Sequence, residues 1–233
     1  MVQKPPPWAL VKELGARGQV RRLAMAAPRL QRAPRGDGPV LLVAGFGSTA
    51  PSLVPLQTYL RSLGHDAHTA ELGSVGRDLP AEVDALSEQI SAQAASAGGE
   101  PAIVGWSLGG VVVREAAREV GMLIRRAITF GTPTQGGPSA MALAAFYGEA
   151  RLAEIEAWLD LRRHDPIRVP LTTIWSAMDG VVAEYARHDD LTPSVDHVEV
   201  QSTHLAMALD PDVWLVIADR LARGGRSADV AVG

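Results

Sequence analysis

The sequence predicts a single α/β domain in which helices cover both faces of a mostly parallel sheet. From Pro39 onwards, short apolar runs of strand length alternate with longer amphipathic stretches of helix length. Repeated strand–helix units of this kind build parallel sheets, because a right-handed crossover returns each strand beside its predecessor. The 233 residues, 47% of them hydrophobic, also match one globular domain of ordinary composition.

The individual elements follow from local patterns. Strands are predicted at residues 40–44, 66–70, 102–106, 124–130, 171–175 and 195–200. Helices are predicted at residues 52–63, 80–97, 108–120 and 210–223. The first strand, VLLVA, is apolar throughout, as strands buried on both faces are. Asp210 followed by Pro211 is typical of a helix start, with a side-chain cap and a proline in the first turn.

Residues 134–166 interrupt this alternation. The segment opens with the loose run TQGGP and then becomes helical, with Leu152, Ile155 and Leu159 on one face. An insertion between two core strands can lie over a site at the carboxyl end of the sheet. We therefore expect a small helical cap, with an ordinary crossover helix as the alternative.

The amino-terminal residues 1–38 are predicted to form a basic helix and linker before the main domain of residues 39–233. Residues 1–40 hold eight Lys or Arg and two acidic residues, whereas the whole chain carries a net charge of −4. A helix at residues 8–27 is predicted, although Gly15 and Gly18 weaken it. Two interpretations are open: the helix packs on the flank of the domain, or it associates weakly with an anionic membrane surface.

Composition excludes several classes of function. The absence of cysteine rules out disulfides, thiolate nucleophiles and thiolate-bound zinc. The mildly acidic net charge gives no reason to expect a nucleic-acid partner. No metal, nucleotide or flavin cofactor is expected. No leader peptide and no apolar run of about 18 residues is recognisable, which predicts a cytoplasmic protein without a membrane span.

The run GWSLGG, residues 105–110, carries the most specific signal in the chain. It lies between a predicted strand and a predicted helix, where a tight turn exposes the Ser107 hydroxyl at the edge of the sheet. Glycines two residues either side allow the strand and the helix to approach closely. Ser107 is therefore predicted to be a nucleophile.

A serine hydroxyl becomes nucleophilic when a histidine takes its proton and a carboxylate orients that histidine. In sheets with this turn the chain order is serine, acid, histidine. His204 follows the last predicted strand and fits that order, whereas His197 lies within the strand. The other four histidines fit the order or the position poorly: His65, His68, His164 and His188.

The acid is expected in the loop after the preceding strand. Asp179 lies there, in the turn SAMDG, and is predicted to orient His204. Asp165 and Asp196 are the reserve candidates.

The oxyanion formed on attack needs preset N–H donors, each worth about 3–4 kcal/mol in the best measured case. The N–H of Leu108, directly after the nucleophile, is one predicted donor. The N–H of Phe46 is the other, because the loop GFG at residues 45–47 follows the first strand and lets the backbone approach the substrate. This loop lacks the glycine and lysine pattern of a nucleotide site.

Together these segments resemble bacterial α/β-hydrolases of the lipase/esterase type. The matching stretches are PRGDGPVLLVAGFGST, VGWSLGGVVVREAARE, ITFGTPTQG, TTIWSAMDGVV and STHLAMALDPDVW. The resemblance implies an α/β-hydrolase fold, a triad of Ser107, Asp179 and His204, and Phe46 and Leu108 as oxyanion-hole donors. One departure is Ala44, where many relatives have histidine or proline.

The predicted function is hydrolysis of carboxylic esters through an acyl-enzyme. Acyl transfer or thioester cleavage at the same triad is the alternative, and a non-catalytic lipid-binding or membrane-surface protein is the alternative of another class. The predicted partner is a small-molecule or lipid ester. The predicted substrate-binding residues are mostly apolar or glycine: Gly45, Gly47, Trp106, Met178, Val181, Val182 and Leu205.

Overall fold

The computed structural model describes residues 13, 18–48, 50–96, 98–192 and 194–223. Within them six strands form one parallel sheet in the order β2-β1-β3-β4-β5-β6. The strands are β1 Pro39–Val43, β2 Asp66–Thr69, β3 Ala102–Trp106, β4 Arg126–Phe130, β5 Leu171–Trp175 and β6 Asp196–Glu199. All six lie within a residue or two of their predicted positions, so the strand predictions are confirmed.

Seven α-helices lie within the described residues and cover the sheet. They are α1 Gln19–Met25, α2 Ala27–Gln31, α3 Val54–Ser62, α4 Leu79–Ala94, α5 Leu108–Val120, α6 Glu149–Arg162 and α7 Pro211–Ala222. The Asp210 side chain accepts the N–H of Asp212 at 2.8 Å, which confirms the predicted cap of α7. Residues 8–12 and 14–17 of the predicted helix at residues 8–27 lie outside the described residues, and its described part contains the short helix α1.

The core has two apolar layers because the four inner strands, β1, β3, β4 and β5, are buried on both faces. Along β1, Val40 and Leu42 belong to one layer, together with α3 and α7. Leu41 and Val43 belong to the other layer, together with α4 and α5. The loops at the carboxyl ends of the strands are thereby held on a rigid scaffold, which is where a site is expected.

The insertion between β4 and β5 contains two 3₁₀ turns, Gly137–Ala140 and Ala142–Phe146, followed by α6. Met141 pairs with Val182 in an isolated antiparallel bridge, so the start of the insertion is attached to the segment after β5. Helix α6 is tied to α5, since Arg162 forms ion pairs with Glu115 and Glu119 at 2.8 and 2.7 Å. No helix within the described residues is long and apolar enough to cross a bilayer.

Candidate active site

Ser107 occupies a strained turn between β3 and α5. Its backbone has φ 55° and ψ −125°. Residues other than glycine rarely adopt this conformation, which costs on the order of 1–3 kcal/mol. The N–H of Ser107 donates to the Phe130 carbonyl at 2.9 Å, which fixes the turn against β4. The sequence pattern predicted this turn.

Two glycines after the nucleophile allow α5 to pack against the sheet. A Cβ on Gly109 would lie 2.1 Å from the carbonyl oxygen of Ala44 at the end of β1. A Cβ on Gly110 would lie 1.9 Å from the hydroxyl of Thr132. Neither distance is compatible with a side chain, so the GWSLGG run is required by packing as well as by the turn.

The three predicted triad residues meet in one hydrogen-bonded chain. His204 Nε2 lies 2.9 Å from Ser107 Oγ, and His204 Nδ1 lies 2.8 Å from Asp179 Oδ2. With a proton on Nδ1, the imidazole donates to the carboxylate and accepts the proton of the serine hydroxyl. Both distances are within proton-transfer range. Ser107 and His204 are each 3% exposed, and Asp179 is 1% exposed.

Burial and charge act in opposite directions on this pair. Burial alone would raise the pKa of Asp179, but the facing imidazole and the N–H groups of Val182 and Val181 hold that pKa below its ordinary value. Burial alone would lower the pKa of His204, but the charge and hydrogen bond of Asp179 outweigh it, so the pKa of His204 is raised. The site therefore stabilises the protonated, imidazolium form of His204.

The turn that carries Asp179 is held from inside the protein. Its Oδ1 atom accepts the N–H groups of Val181 and Val182 at 2.8 and 2.9 Å, leaving Oδ2 for His204. The guanidinium of Arg187 donates to the carbonyl of Asp179 at 2.6 Å and to that of Val182 at 3.0 Å. The carboxylate is therefore oriented before any substrate binds.

The predicted oxyanion loop lies against the nucleophile. A Cβ on Gly45 would be 3.2 Å from the Ser107 Cβ, so only glycine brings this backbone so close without displacing its neighbours. The Gly47 N–H donates to the carbonyl of Val75 at 2.9 Å and fixes the loop. Among the described residues, no hydrogen bond uses the N–H of Phe46 or of Leu108. Both groups are thus available as donors.

The predicted substrate-binding residues differ in exposure. Met178 and Leu205 are 42% and 52% exposed, beside Asp179 and His204 in the chain. Phe146, in the inserted segment, is 76% exposed and lies 6.1 Å from the Phe46 ring, centroid to centroid. We call Phe146, Met178 and Leu205 the apolar rim.

Other predicted wall residues are buried. The side chains of Val181 and Val182 lie in apolar clusters, and their observed contact with the site is made by the backbone. Trp106 is also buried, with its ring 6.1 Å from that of His204.

The reserve candidates lie elsewhere. Asp196 pairs with Arg220 at 2.5 Å, and Asp165 is exposed beyond α6. His197 lies within β6, where its ring accepts the N–H of Asp189 at 3.1 Å. His188 is half-buried, and its ring packs on Trp175 at 4.0 Å between centroids.

Sequence reasoning missed three residues that hold the triad loops: Glu13, Ser176 and Arg187. The hydroxyl of Ser176 accepts N–H groups from both loops, those of Met178 at 3.0 Å and Ser202 at 3.3 Å. Almost any residue can supply a backbone group for such a contact, so no sequence motif predicts it. Within the described residues, no cluster of three potential ligands could hold a metal ion.

Comparison with known proteins identifies the fold. No protein-family model and no curated protein matches the sequence. Est1E from Butyrivibrio proteoclasticus superposes with a TM-score of 0.61 at 13% identity, over 81% of this chain and 87% of that chain. A chain from a structure described under the two metagenome-derived lipolytic enzymes LipS and LipT has a TM-score of 0.60 at 17% identity, over 82% of this chain and 94% of that chain. The chain has the α/β-hydrolase fold.

A third neighbour of the same fold is the metagenomic carboxyl esterase MGS0156, with a TM-score of 0.61 at 14% identity, over 79% of this chain and 74% of that chain. At such identities the likeness establishes the α/β-hydrolase fold and leaves the reaction to be argued from the residues of the site.

Proposed function

We propose that this α/β-hydrolase fold protein is a serine hydrolase that cleaves carboxylic esters. One observation carries the proposal: Ser107, His204 and Asp179 form a continuous hydrogen-bonded chain with links of 2.9 and 2.8 Å. The same constellation activates serine on several unrelated folds. The two unused N–H groups of Phe46 and Leu108 supply what an oxyanion requires.

The reaction proceeds in two halves. The Ser107 oxygen attacks the ester carbonyl carbon while its proton passes to His204 Nε2, and the N–H groups of Phe46 and Leu108 stabilise the oxyanion. Collapse of this intermediate expels the alcohol, which takes the proton from His204 and leaves an acyl-enzyme. Water then attacks the acyl carbon and gives a proton to His204. The second collapse releases the acid and restores Ser107.

The surroundings of Ser107 favour an apolar ester. The nucleophile is 3% exposed, and the apolar rim lies along the loops that carry His204, Asp179 and Phe46. Burying an acyl chain against such side chains contributes about 0.8 kcal/mol per methylene, whereas a charged substituent loses solvation there. The proposed substrate is therefore a neutral ester with an acyl group large enough to contact the rim.

The proposal is tested with p-nitrophenyl esters of increasing acyl length, assayed on wild type and Ser107→Ala. We expect Ser107→Ala and His204→Ala each to lose at least ~10³-fold in kcat, and Asp179→Ala to lose less. The exposed Glu149→Gln serves as control and keeps the wild-type rate. Equal turnover by Ser107→Ala would refute the mechanism, and product analysis with added alcohol separates acyl transfer from hydrolysis.

A further inference from the structure

Glu13 lies far from the triad in the chain but reaches both of its loops. Its side chain is largely buried, at 9% exposure. Oε1 accepts the N–H of Gly180 at 3.0 Å and that of His204 at 3.1 Å, and Oε2 accepts the N–H of Leu205 at 2.8 Å. Gly180 follows the triad aspartate directly. One carboxylate therefore joins the acid turn to the histidine turn.

A second contact from the same part of the chain holds the segment around His204. Arg22 in α1 donates to the carbonyl of Gln201 at 3.3 Å, to Asp210 at 2.8 Å and to Asp212 at 2.5 Å. The stretch of residues 201–212, which contains His204, is thus held near its middle by Glu13 and at its two ends by Arg22. Within the described part of the chain, no other charged side chain outside the triad forms hydrogen bonds with both the Asp179 loop and the His204 loop.

We infer that Glu13 is a positioning residue for the triad, which holds the backbone of His204 and the turn of Asp179 at the separation that proton transfer requires. This inference rests on the proposed hydrolase function. Triad groups must be held within a fraction of an ångström, and a misplacement of about 1 Å can cost about 100-fold in rate. Buried N–H donors deprived of their acceptor would instead seek other partners and move the loops.

The charge of Glu13 adds a second effect. The charged groups that face His204 are Asp179 and Glu13, which favour the imidazolium, and Arg187, which opposes it. Removing the negative charge at residue 13 therefore lowers the pKa of His204. A residue that served only to stabilise the fold would leave that pKa where it is.

The test compares Glu13→Gln with Glu82→Gln. Glu82 is the matched control, because it is also buried, at 6% exposure, and also accepts backbone N–H groups, those of Gly76, Arg77 and Asp78. In both variants an amide N–H replaces an acceptor oxygen and faces a backbone donor. Thermal unfolding establishes that each variant folds and compares their losses of stability.

We expect Glu13→Gln to lower kcat by about 10–100-fold with little change in KM. The acidic limb of its kcat/KM profile moves to lower pH, whereas Glu82→Gln keeps the limb of wild type. Glu13→Asp retains the charge and keeps the limb near that of wild type, even where the shorter side chain lowers kcat. An acidic limb in Glu13→Gln that coincides with that of wild type overturns the inference, whatever happens to kcat.

A failure of the proposed function is recognised separately. If wild type shows no turnover that depends on Ser107, the hydrolase proposal fails, and the contact of Glu13 with the His204 loop is still measurable. The pKa of His204 is then read from the NMR titration of its ring in wild type and Glu13→Gln. A pKa that does not fall in the variant contradicts the role of Glu13 independently of activity.

Discussion

The ring of His204 lies between the strained turn of Ser107 and the carboxylate of Asp179. Its Nε2 faces the hydroxyl of Ser107, whose backbone is held at a positive φ by the strand before it and the helix after it. Its Nδ1 faces Asp179, whose second oxygen is occupied by backbone N–H groups. Because each atom has one assigned partner, the imidazole has one orientation and one useful tautomer.

In the proposed mechanism, the raised pKa of His204 determines how the reaction rate depends on pH. Only the neutral ring can accept the proton of Ser107, so kcat/KM rises with pH as His204 loses its proton. Because the pKa in the folded protein lies above 6.5, the ordinary value for histidine, we expect the midpoint of the acidic limb above pH 6.5. A kcat/KM profile from pH 5 to 9 measures it, with circular dichroism confirming that the fold persists. A midpoint below 6.5 would contradict the geometry around the ring.

The sequence predicted the three residues of the proposed triad and missed the residues that hold them, for a physical reason. Ser107, Asp179 and His204 need particular side chains at particular loop positions, and such requirements leave a pattern. Glu13 accepts N–H groups that every residue except proline can supply. The residues that contact Glu13 therefore carry no sequence pattern by which the contact could be predicted.

Helix α5 illustrates how one element serves both packing and the site. It starts at Leu108, directly after the nucleophile, and it lies against the end of β1 where Gly109 meets the carbonyl of Ala44. The loop with Phe46 begins one residue after Ala44. The close approach of α5 to β1 thus sets the distance between the two predicted oxyanion donors.

Replacing Gly109 by alanine tests this approach. A Cβ 2.1 Å from a backbone oxygen forces the helix and the strand apart, and we expect a loss of about 1–3 kcal/mol in the free energy of unfolding. The control is Gly121→Ala at the other end of the helix, where a Cβ lies 3.9 Å from Val169, an ordinary contact. Urea denaturation measures both. If Gly109→Ala proves as stable as its control, the close approach of Gly109 to the Ala44 carbonyl does not require glycine for stability.

The inserted segment was predicted only in outline. The periodic stretch with Leu152 and Ile155 predicted a helix, and α6 confirms it. The two 3₁₀ turns before it have no regular apolar period, and they are fixed by pairing with the segment after β5, as in the bridge between Met141 and Val182. Such pairing is set by tertiary structure, which a local pattern does not contain.

At the level of the whole molecule, a buried ion pair joins α5 to the connection between β5 and β6. Arg114 donates to Asp189 at 2.6 Å, and their side chains are 4% and 0% exposed. The N–H groups of Leu191 and Thr192 also donate to Asp189. Burial opposes the charge of this carboxylate, but Arg114 and these hydrogen bonds lower its pKa to about 2.

The depressed pKa predicts how stability depends on acid. Because Asp189 binds its proton more weakly in the folded chain than in the unfolded chain, its contribution is present above pH 3.8 and is lost as the pH falls towards about 2. The contribution is on the order of 2 kcal/mol. We expect Asp189→Asn to be less stable than wild type at pH 5, and the difference to shrink as the pH approaches 2. Urea titrations measure the free energy of unfolding of both proteins. If their difference stays constant across that pH range, the protonation of Asp189 is not coupled to folding.

The contact between Glu13 and the His204 turn also has a consequence for biosynthesis. The two residues are 191 positions apart, so Glu13 emerges from the ribosome long before His204. The sheet can grow strand by strand as the chain appears, but the contact that joins its first and last segments has to wait. The proposed site is therefore expected to be completed only after the scaffold beneath it has formed.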